Sequence, residues 1–394
     1  MRSPKDVLYD YWGFSSFRPV QEDIVEAVVE GKDVLALMPT GGGKSICFQV
    51  PALVKEGICI VVSPLIALMK DQVEGLQAKG IRAAMIFSGM NSREIDITLD
   101  NCIYGNVKLL YISPERIKTE IFRERVRQMK VNLIAVDEAH CVSQWGYDFR
   151  PAYLGIISLR ELLPEVPCIA LTATATLNVK QDIIDKLNLS NPAIFQKSFV
   201  RNNLSYSVFE EEDKENRLIE ILRKVPGSAI VYVNRRKGAQ QLAQVLNQHR
   251  LSAAWYHAGL NVEERDKAQE AWIKGKVRIM VATNAFGMGI DKPDVRLVIH
   301  HDLPQNLEAY YQEAGRAGRD EAKAYAVMLY HQSDIETLKR QLEQSHPNRE
   351  GLKKVYQSLA NYYKIAVGSG QFVSFDFVLE DFANAYQIKL LDAF

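Results

Sequence analysis

The sequence predicts an α/β protein with two parallel sheets in tandem and a small, mostly helical C-terminal segment. Three observations carry this. Short apolar runs alternate with amphipathic stretches; the alternation breaks once, at the polar, acidic stretch FVRNNLSYSVFEEEDKENR (199–217); and it then restarts. A length of 394 residues suits two or three domains at about 100–200 residues each.

The elements follow in chain order. DVLALM (33–38), ICIVVS (58–63), KLLYIS (108–113), NLIAVD (132–137) and CIALTA (168–173) read as buried strands, since short, continuous apolar runs suit a sheet covered on both faces. Between them, ALMKDQVEGLQAKG (67–80) and RIKTEIFRERVRQM (116–129) have helical spacing. Strand and helix in alternation imply a parallel sheet with helices on both sides. A second set follows the break: SAIVYV (228–233), SAAWYH (252–257), RIMVAT (278–283), RLVIHH (296–301) and AYAVML (324–329). Domains are therefore expected at 1–200 and 201–335, with a helical extension at 336–394. In that extension DIETLKRQLEQ (334–344) and NREGLKKVYQSLANYYK (348–364) read as helices, and VGSGQFVSFD (367–376) as a turn and short strand. The last residues, LLDAF, look like a helix start with no stop signal, so a fragment is expected.

Composition excludes several classes. At 47% hydrophobic and 24% charged the chain is an ordinary globular one. No run approaches 18 apolar residues, and MRSPKDVLYD lacks a signal-peptide core, so neither secretion nor a membrane span is expected. Net charge is zero and pI about 7.1, so any nucleic-acid binding must use local basic patches. RNN (201–203), NRRK (234–237) and KR (339–340) are candidates, each with a solvated surface as the competing reading. Cys47, Cys59, Cys102, Cys141 and Cys168 form no CxxC pair, which points to a reducing, cytoplasmic setting.

MPTGGGKS (38–45) follows the first strand and precedes a helix. Gly41, Gly42 and Gly43 let backbone N–H groups turn toward phosphate oxygens, beside Thr40. Lys44 would reach the β/γ-phosphates, and the Ser45 hydroxyl would bind Mg²⁺. The general pattern wants glycine at position 38, where this chain has Met38. Asp137 and Glu138 end a strand, where α/β proteins bind ligands. Asp137 would hold Mg²⁺ through water, and Glu138 would orient and deprotonate the attacking water. Taken alone, the pair reads better as a surface acidic turn; the phosphate loop upstream turns the reading to metal and water. QEAGRAGRD (312–320) reads as a helix with Arg316 and Arg319 on one face, suited to a triphosphate or, in isolation, simply solvated. ATNAFGMGID (282–291), with Gly287 and Asp291, fits a loop that couples strand ends to a cleft.

PTGGGKS, DEAH (137–140), LTATA (171–175), ATNAFGMGID and YYQEAGRAGRD (310–320) occur in order, together with FSSFRPVQ (14–21) and CVSQWGYDFRPAY (141–153). These segments resemble the RecQ branch of superfamily 2 helicases over roughly residues 1–335. The resemblance implies two tandem RecA-like domains with ATP between them, 3′-to-5′ translocation on single-stranded DNA, and unwinding of partly duplex DNA. It implies that Arg18 and Gln21 read adenine while Phe14 stacks on it. His140 and Gln312 would relay between cleft and DNA, and Arg316 and Arg319 would be the catalytic arginines. The aromatic-rich loop after the acids would let Trp145 and Phe149 stack on unpaired bases, with Arg150 meeting a phosphate or an acid. The competing reading of that loop is a hydrophobic plug against its own domain.

The chain also departs from the family. It has no cysteine after Cys168, so the family's four-cysteine zinc domain cannot form and no zinc is expected; His331 and His346 read as ordinary histidines. Tyr147 stands where relatives often have histidine, and a phenol cannot take up a proton as imidazole does. Expected partners are ATP, Mg²⁺ and DNA, with the chain acting as a monomer. An RNA helicase of the same superfamily, or an ATP-gated clamp or translocase with little unwinding, remain the alternatives.

Overall fold

The computed structural model describes residues 2–39, 41–145, 148–173, 175–198, 200–287, 292–345, 349–366, 369–371 and 374–388. Seven strands form the first sheet: β1 (Val34–Leu37), β2 (Ile58–Val62), β3 (Ala83–Ile86), β4 (Leu109–Ile112), β5 (Val131–Val136), β6 (Cys168–Thr172) and β7 (Ala193–Gln196), in the order β3-β4-β2-β5-β6-β1-β7. Six form the second: β8 (Leu204–Glu210), β9 (Ser228–Tyr232), β10 (Ala253–Tyr256), β11 (Ile279–Ala282), β12 (Val295–His300) and β13 (Ala324–Tyr330), ordered β10-β11-β9-β12-β13-β8. Every pairing in both sheets is parallel.

Side-chain alternation splits each sheet between two cores. Leu35, Leu37, Ile60, Val62, Ile134 and Val136 face one side of the first sheet; Val34, Ala36, Cys59, Val61, Leu133 and Ala135 face the other. Ala229, Val231, Ile279 and Ile299 oppose Ile230, Met280, Ala282 and Val298 in the second. Fully burying one such Val, Leu or Ile contributes about 1.5–3 kcal/mol, which is why both faces must carry helices. Asp33, just before β1, accepts from Arg160 (2.7 Å), from the Cys168 N–H (2.7 Å) and from the Ser190 N–H (2.8 Å). One buried carboxylate thus fixes the starts of β1 and β6 and the approach to β7.

Several elements differ from the sequence expectation. The helix expected over 116–129 is a 3-10 turn, Pro114–Lys118, and a short helix, Glu120–Val126. Between them Thr119 is extended and its hydroxyl donates to Arg116 O (2.7 Å), a local bond that competes with helix continuation. The helix expected over 312–320 ends at Ala314, and residues 315–320 form a turn, because Gly315 follows at once and Gly318 is left-handed (φ 63°). β3, β7 and β8 have no counterpart in the sequence reading; β8 lies inside the stretch taken as the break. No strand occurs among the described residues of 367–376, and LLDAF lies outside the described residues. The C-terminal extension carries helices Gln332–Ser345, Arg349–Tyr362 and Leu379–Ala385. Among the described residues, no helix is long and apolar enough to cross a membrane.

Candidate functional site

The phosphate loop leaves the carboxyl end of β1. Gly41 (φ 79°) and Gly43 (φ 77°) are left-handed, and a Cβ on Gly43 would stand 2.3 Å from Gln21 Nε2. Met38, where the general pattern has glycine, is fully buried in the core behind the loop and accepts the Cys47 thiol at 3.7 Å. The departure therefore replaces a residue that faces protein, not ligand. Ser45 precedes helix Ile46–Val54, so the loop meets a helix N-terminus. Thr40 lies outside the described residues.

Arg18 and Gln21 serve the loop directly. Arg18 Nη1 donates to Gly41 O (2.8 Å); Gln21 Nε2 donates to Gly42 O (3.2 Å) and Gly43 O (3.0 Å). Gln21 Oε1 accepts from the Arg18 N–H (2.9 Å), so both ends of this buried amide are engaged. Phe14 is 54% exposed at the rim.

β5 delivers the acids. Glu138 takes a left-handed backbone (φ 47°), an uncommon state for a residue with a side chain, at the point where the chain leaves the sheet. Its N–H donates to Asp137 Oδ1 (3.0 Å), and the Tyr153 hydroxyl donates to Asp137 O (2.9 Å). Glu138 Oε1 lies 3.9 Å from Lys44 Nζ. Burial, reinforced by the Glu138 charge, pushes Asp137 up to about 7, against the pull of Lys44. Burial works against charge on Glu138 too, yet Lys44, His140 and Arg316 outweigh it and hold this carboxylate below its ordinary value. Two adjacent acids thus divide into one that ionises reluctantly and one that stays charged. His140 Nδ1 lies 2.7 Å from Thr172 Oγ1 and 3.3 Å from Glu138 Oε2. Burial lowers the His140 pKa against the pull of the Glu138 charge. Thr172, at the end of β6, is a partner that the sequence reading missed; its only signal was its place in LTATA.

The second sheet supplies the opposite wall. Gln312 closes helix Leu307–Ala314, and Arg316 and Arg319 stand on the turn after it. Arg316 Nη1 donates to Gly287 O. Gly287 (φ 154°) leaves no room for a side chain, since a Cβ would lie 2.5 Å from the Arg316 guanidinium carbon. Gly287, expected at the nucleotide, accepts Arg316 at its carbonyl and so stands one residue back from the cleft lining. Asp291 lies outside the described residues. Arg319 reaches across to the phosphate loop, with its Cγ 3.1 Å from where a Gly41 Cβ would be.

These groups enclose one cleft of about 410 Å³, lined from the first sheet's side by Phe14, Arg18, Gln21, Gly41, Gly43, Lys44, Ser45, Asp137 and Glu138, and from the second's by Pro293, Gln312, Arg316 and Arg319. Gln312 Nε2 and Arg316 Nε are buried there without a hydrogen-bond partner among the described residues. Unsatisfied buried donors beside Lys44 are what an anionic polyoxygen ligand would complete. Among the described residues no group of three acids, histidines or cysteines could hold a metal. A divalent cation at Ser45 and Asp137 would therefore need further oxygens from a phosphate, as Mg²⁺ ordinarily does.

The loop after the acids runs beside this cleft. The Arg150 N–H donates to Cys141 O (2.9 Å), closing it. Trp145 is 73% exposed, Phe149 is half-buried and Tyr153 is fully buried. The plug reading thus fits Tyr153, and the outward-facing aromatic is Trp145. Of the two partners expected for Arg150, the structure provides the acid: Nε and Nη2 donate to Asp148 Oδ2 (3.1 and 3.0 Å) and Nη1 to Pro64 O (2.9 Å). Tyr147 lies outside the described residues.

Residues 18–183 match the DEAD/DEAH box helicase family, and residues 213–321 match the helicase conserved C-terminal domain. The ATP-dependent DNA helicase RecQ of Pasteurella multocida is 44% identical over 330 residues, 84% of this chain and 52% of that protein. RecQ of Bacillus subtilis is 42% identical over 359 residues, 90% of this chain and 61% of that protein. The probable ATP-dependent DNA helicase RecS of Bacillus subtilis is 39% identical over 364 residues, 91% of this chain and 73% of that protein. The chain thus spans about half to three-fifths of the length of these RecQ relatives. Among solved structures, S. cerevisiae Dbp5 bound to RNA and ADP BeF3 superposes with a TM-score of 0.67 at 21% identity, covering 86% of this chain and 90% of that one. The DUF1998 helicase MrfA bound to DNA gives 0.72 at 15% identity, covering 98% and 57%. At these identities the structural likeness is one of fold: two RecA-like parallel-sheet lobes.

Proposed function

This chain belongs to the RecQ family of ATP-dependent DNA helicases, and from that premise we propose that it hydrolyses ATP between its lobes to translocate 3′-to-5′ on single-stranded DNA and unwind duplexes. This reading divides the chain into lobes at 1–200 and 201–335, with an extension at 336–394. The single observation that carries it is the cleft in which Lys44, Asp137 and Glu138 face Gln312, Arg316 and Arg319.

Lys44 binds the β- and γ-phosphates. Ser45 and Asp137 would hold Mg²⁺, which would supply neutralisation of the phosphate charge. Glu138, charged at neutral pH, orients the attacking water and draws its proton. Arg316 and Arg319 meet the charge that grows on the transferred phosphoryl group. Arg18 and Gln21 brace the loop and border the adenine region, where Phe14 offers a stacking face. His140 and Gln312 join the cleft to the strand-binding side. Trp145 stacks on an unpaired base; Phe149 and Arg150 fix the loop that presents it.

The test is ATPase rate against single-stranded DNA, duplex DNA and RNA, with a 3′-tailed duplex to read strand separation. Stimulation by single-stranded DNA together with separation supports the reading. Stimulation without separation supports the second reading, a clamp or bare translocase. Equal stimulation by RNA would overturn the choice of DNA.

A further inference from the structure

Arg316 and Arg319 sit on a turn, so no i→i−4 ladder holds the carbonyls of their segment. The Gly318 and Asp320 N–H groups donate to Val295 O (2.8 Å) and Pro293 O (3.2 Å), the Glu321 N–H donates to Gly318 O (3.1 Å), and two side chains from the stretch that joins the sheets add to these bonds. Arg201 Nη1 donates to Gly315 O (3.0 Å), and Nη2 donates to Gly318 O. Asn203 Nδ2 donates to Gly318 O (2.8 Å) and to Ala322 O (3.0 Å). Asn203 is itself fixed, because its carbonyl accepts the Ala324 N–H (2.9 Å) at the start of β13. The bonded carbonyls bracket both cleft arginines: Gly315 immediately precedes Arg316, and Gly318 immediately precedes Arg319. Gly318 is left-handed, and a Cβ there would stand 2.6 Å from Asn203 Nδ2, so the glycine makes room for the clamp. Arg201, which the sequence offered as part of a surface basic block, is half-buried, with its fork turned onto backbone oxygens.

The other end of the same stretch is anchored on the opposite lobe. The Lys197 N–H donates to Leu37 O (2.9 Å), at the last residue of β1, from which the phosphate loop departs. Lys197 and Arg201 are four positions apart, at most about 14 Å of extended chain. Lys197, Arg201 and Asn203 share a second cleft of about 340 Å³ with Gly41, Gly42 and Arg319, on the far side of the phosphate loop.

We propose that Arg201 and Asn203 are positioning residues for the reaction: they set the arginine turn through its carbonyls and tie it, by a short tether, to the strand that carries the phosphate loop. They touch neither nucleotide nor reacting atoms. The tether limits how far the lobes can part before the turn is pulled, and it registers Arg316 and Arg319 against Lys44 on closure. The proposal rests on the reading that Arg316 and Arg319 act on the triphosphate. Because a misplacement of about 1 Å can cost about 10²-fold in rate, losing the clamp should lower turnover without removing any ligand contact. Lysine cannot span two carbonyls as the guanidinium fork does, so it should restore only part of the function.

The experiment compares Arg201→Gln, Arg201→Lys, Asn203→Ala, Arg316→Ala, Arg319→Ala and the Arg201→Gln/Arg316→Ala double variant in the full 394-residue chain. The readouts are DNA-stimulated kcat, KM for ATP, affinity for a fluorescent ATP analogue, and melting temperature. The expected result for Arg201→Gln is kcat lowered about 10²-fold, with KM and nucleotide affinity within about threefold. Arg201→Lys should recover part of the rate, and the double variant should lose clearly less than the product of the two single losses, because part of the Arg201 effect passes through Arg316. Losses that multiply in the double variant would show that Arg201 does not act through the arginine turn, which overturns the proposal. If Arg201→Gln does not fold, Asn203→Ala carries the test, since it leaves both Arg201 carbonyl bonds in place: a fall in kcat of about tenfold at constant KM supports the clamp, and an unchanged kcat overturns it. If Arg316→Ala and Arg319→Ala lose the rate while both clamp variants keep it, the clamp alone fails. If the two arginine variants turn over at full rate, the arginine reading fails and the clamp with it.

Discussion

Glu138 and Lys44 hold opposite charges 3.9 Å apart in a largely buried setting, and Lys44 helps keep Glu138 ionised. Replacing Glu138 by glutamine preserves shape and removes the proton acceptor. We expect kcat to fall by about 10²–10⁴-fold while nucleotide still binds. Lys44→Ala should instead weaken nucleotide binding and turnover together, because it removes a phosphate contact present before and during the reaction. Steady-state ATPase assays with a fluorescent nucleotide titration separate the two, and full activity in both variants would refute the site. At this scale the sequence was legible where residue type and spacing mark a cleft, and Lys44, Asp137 and Glu138 do line one. It was not legible where the information is a contact: that Gly287 O accepts Arg316, and that Thr172 stands beside His140.

Among the elements, the loop from Cys141 to Tyr153 shows how one segment can serve two sides. Its closing N–H bond and the Arg150–Asp148 pair hold its shape, the Arg150 bond to Pro64 O fixes it to its own lobe, and the Tyr153 hydroxyl donates to the carbonyl of Asp137. Trp145 is left facing outward, a short distance along the chain from Glu138. Trp145→Ala should therefore leave DNA-free ATPase and nucleotide affinity unchanged. The DNA concentration for half-maximal stimulation should rise by about 5- to 150-fold, the equivalent of about 1–3 kcal/mol of stacking. An unchanged DNA titration would remove Trp145 from the DNA path. Strands buried on both faces were legible as apolar runs. β8 was not: its burial alternates along LSYSVFE at the edge of the second sheet, so polar and charged residues mask it. β3 and β7 are edge strands of only four residues, too short to stand out as runs.

For the molecule as a whole, all five cysteines are buried in the first lobe, and burial pushes Cys47, Cys102 and Cys168 up to about 12. A thiol with a raised pKa is protonated, and so unreactive, across the neutral range. The folded chain should show no fast-reacting thiol toward an aromatic disulfide reagent at pH 8, and all five should react after denaturation in urea. Addition of ATP or DNA should not expose any, because lobe closure moves the sheets as bodies and leaves their cores intact. A fast thiol in the native chain would show that the first lobe opens under native conditions. By itself the sequence determined the two runs of parallel strands, the phosphate loop, the acids and the family, because each is written in local periodicity or in residues whose chemistry needs few neighbours. Only the tertiary structure decided that Arg319 lies on Gly41, that Arg316 rests on Gly287, that Met38 belongs to the core and that Arg201 holds the arginine turn. Those are contacts between residues far apart in the chain, and they arise from how two packed bodies meet, which no local pattern of side chains records.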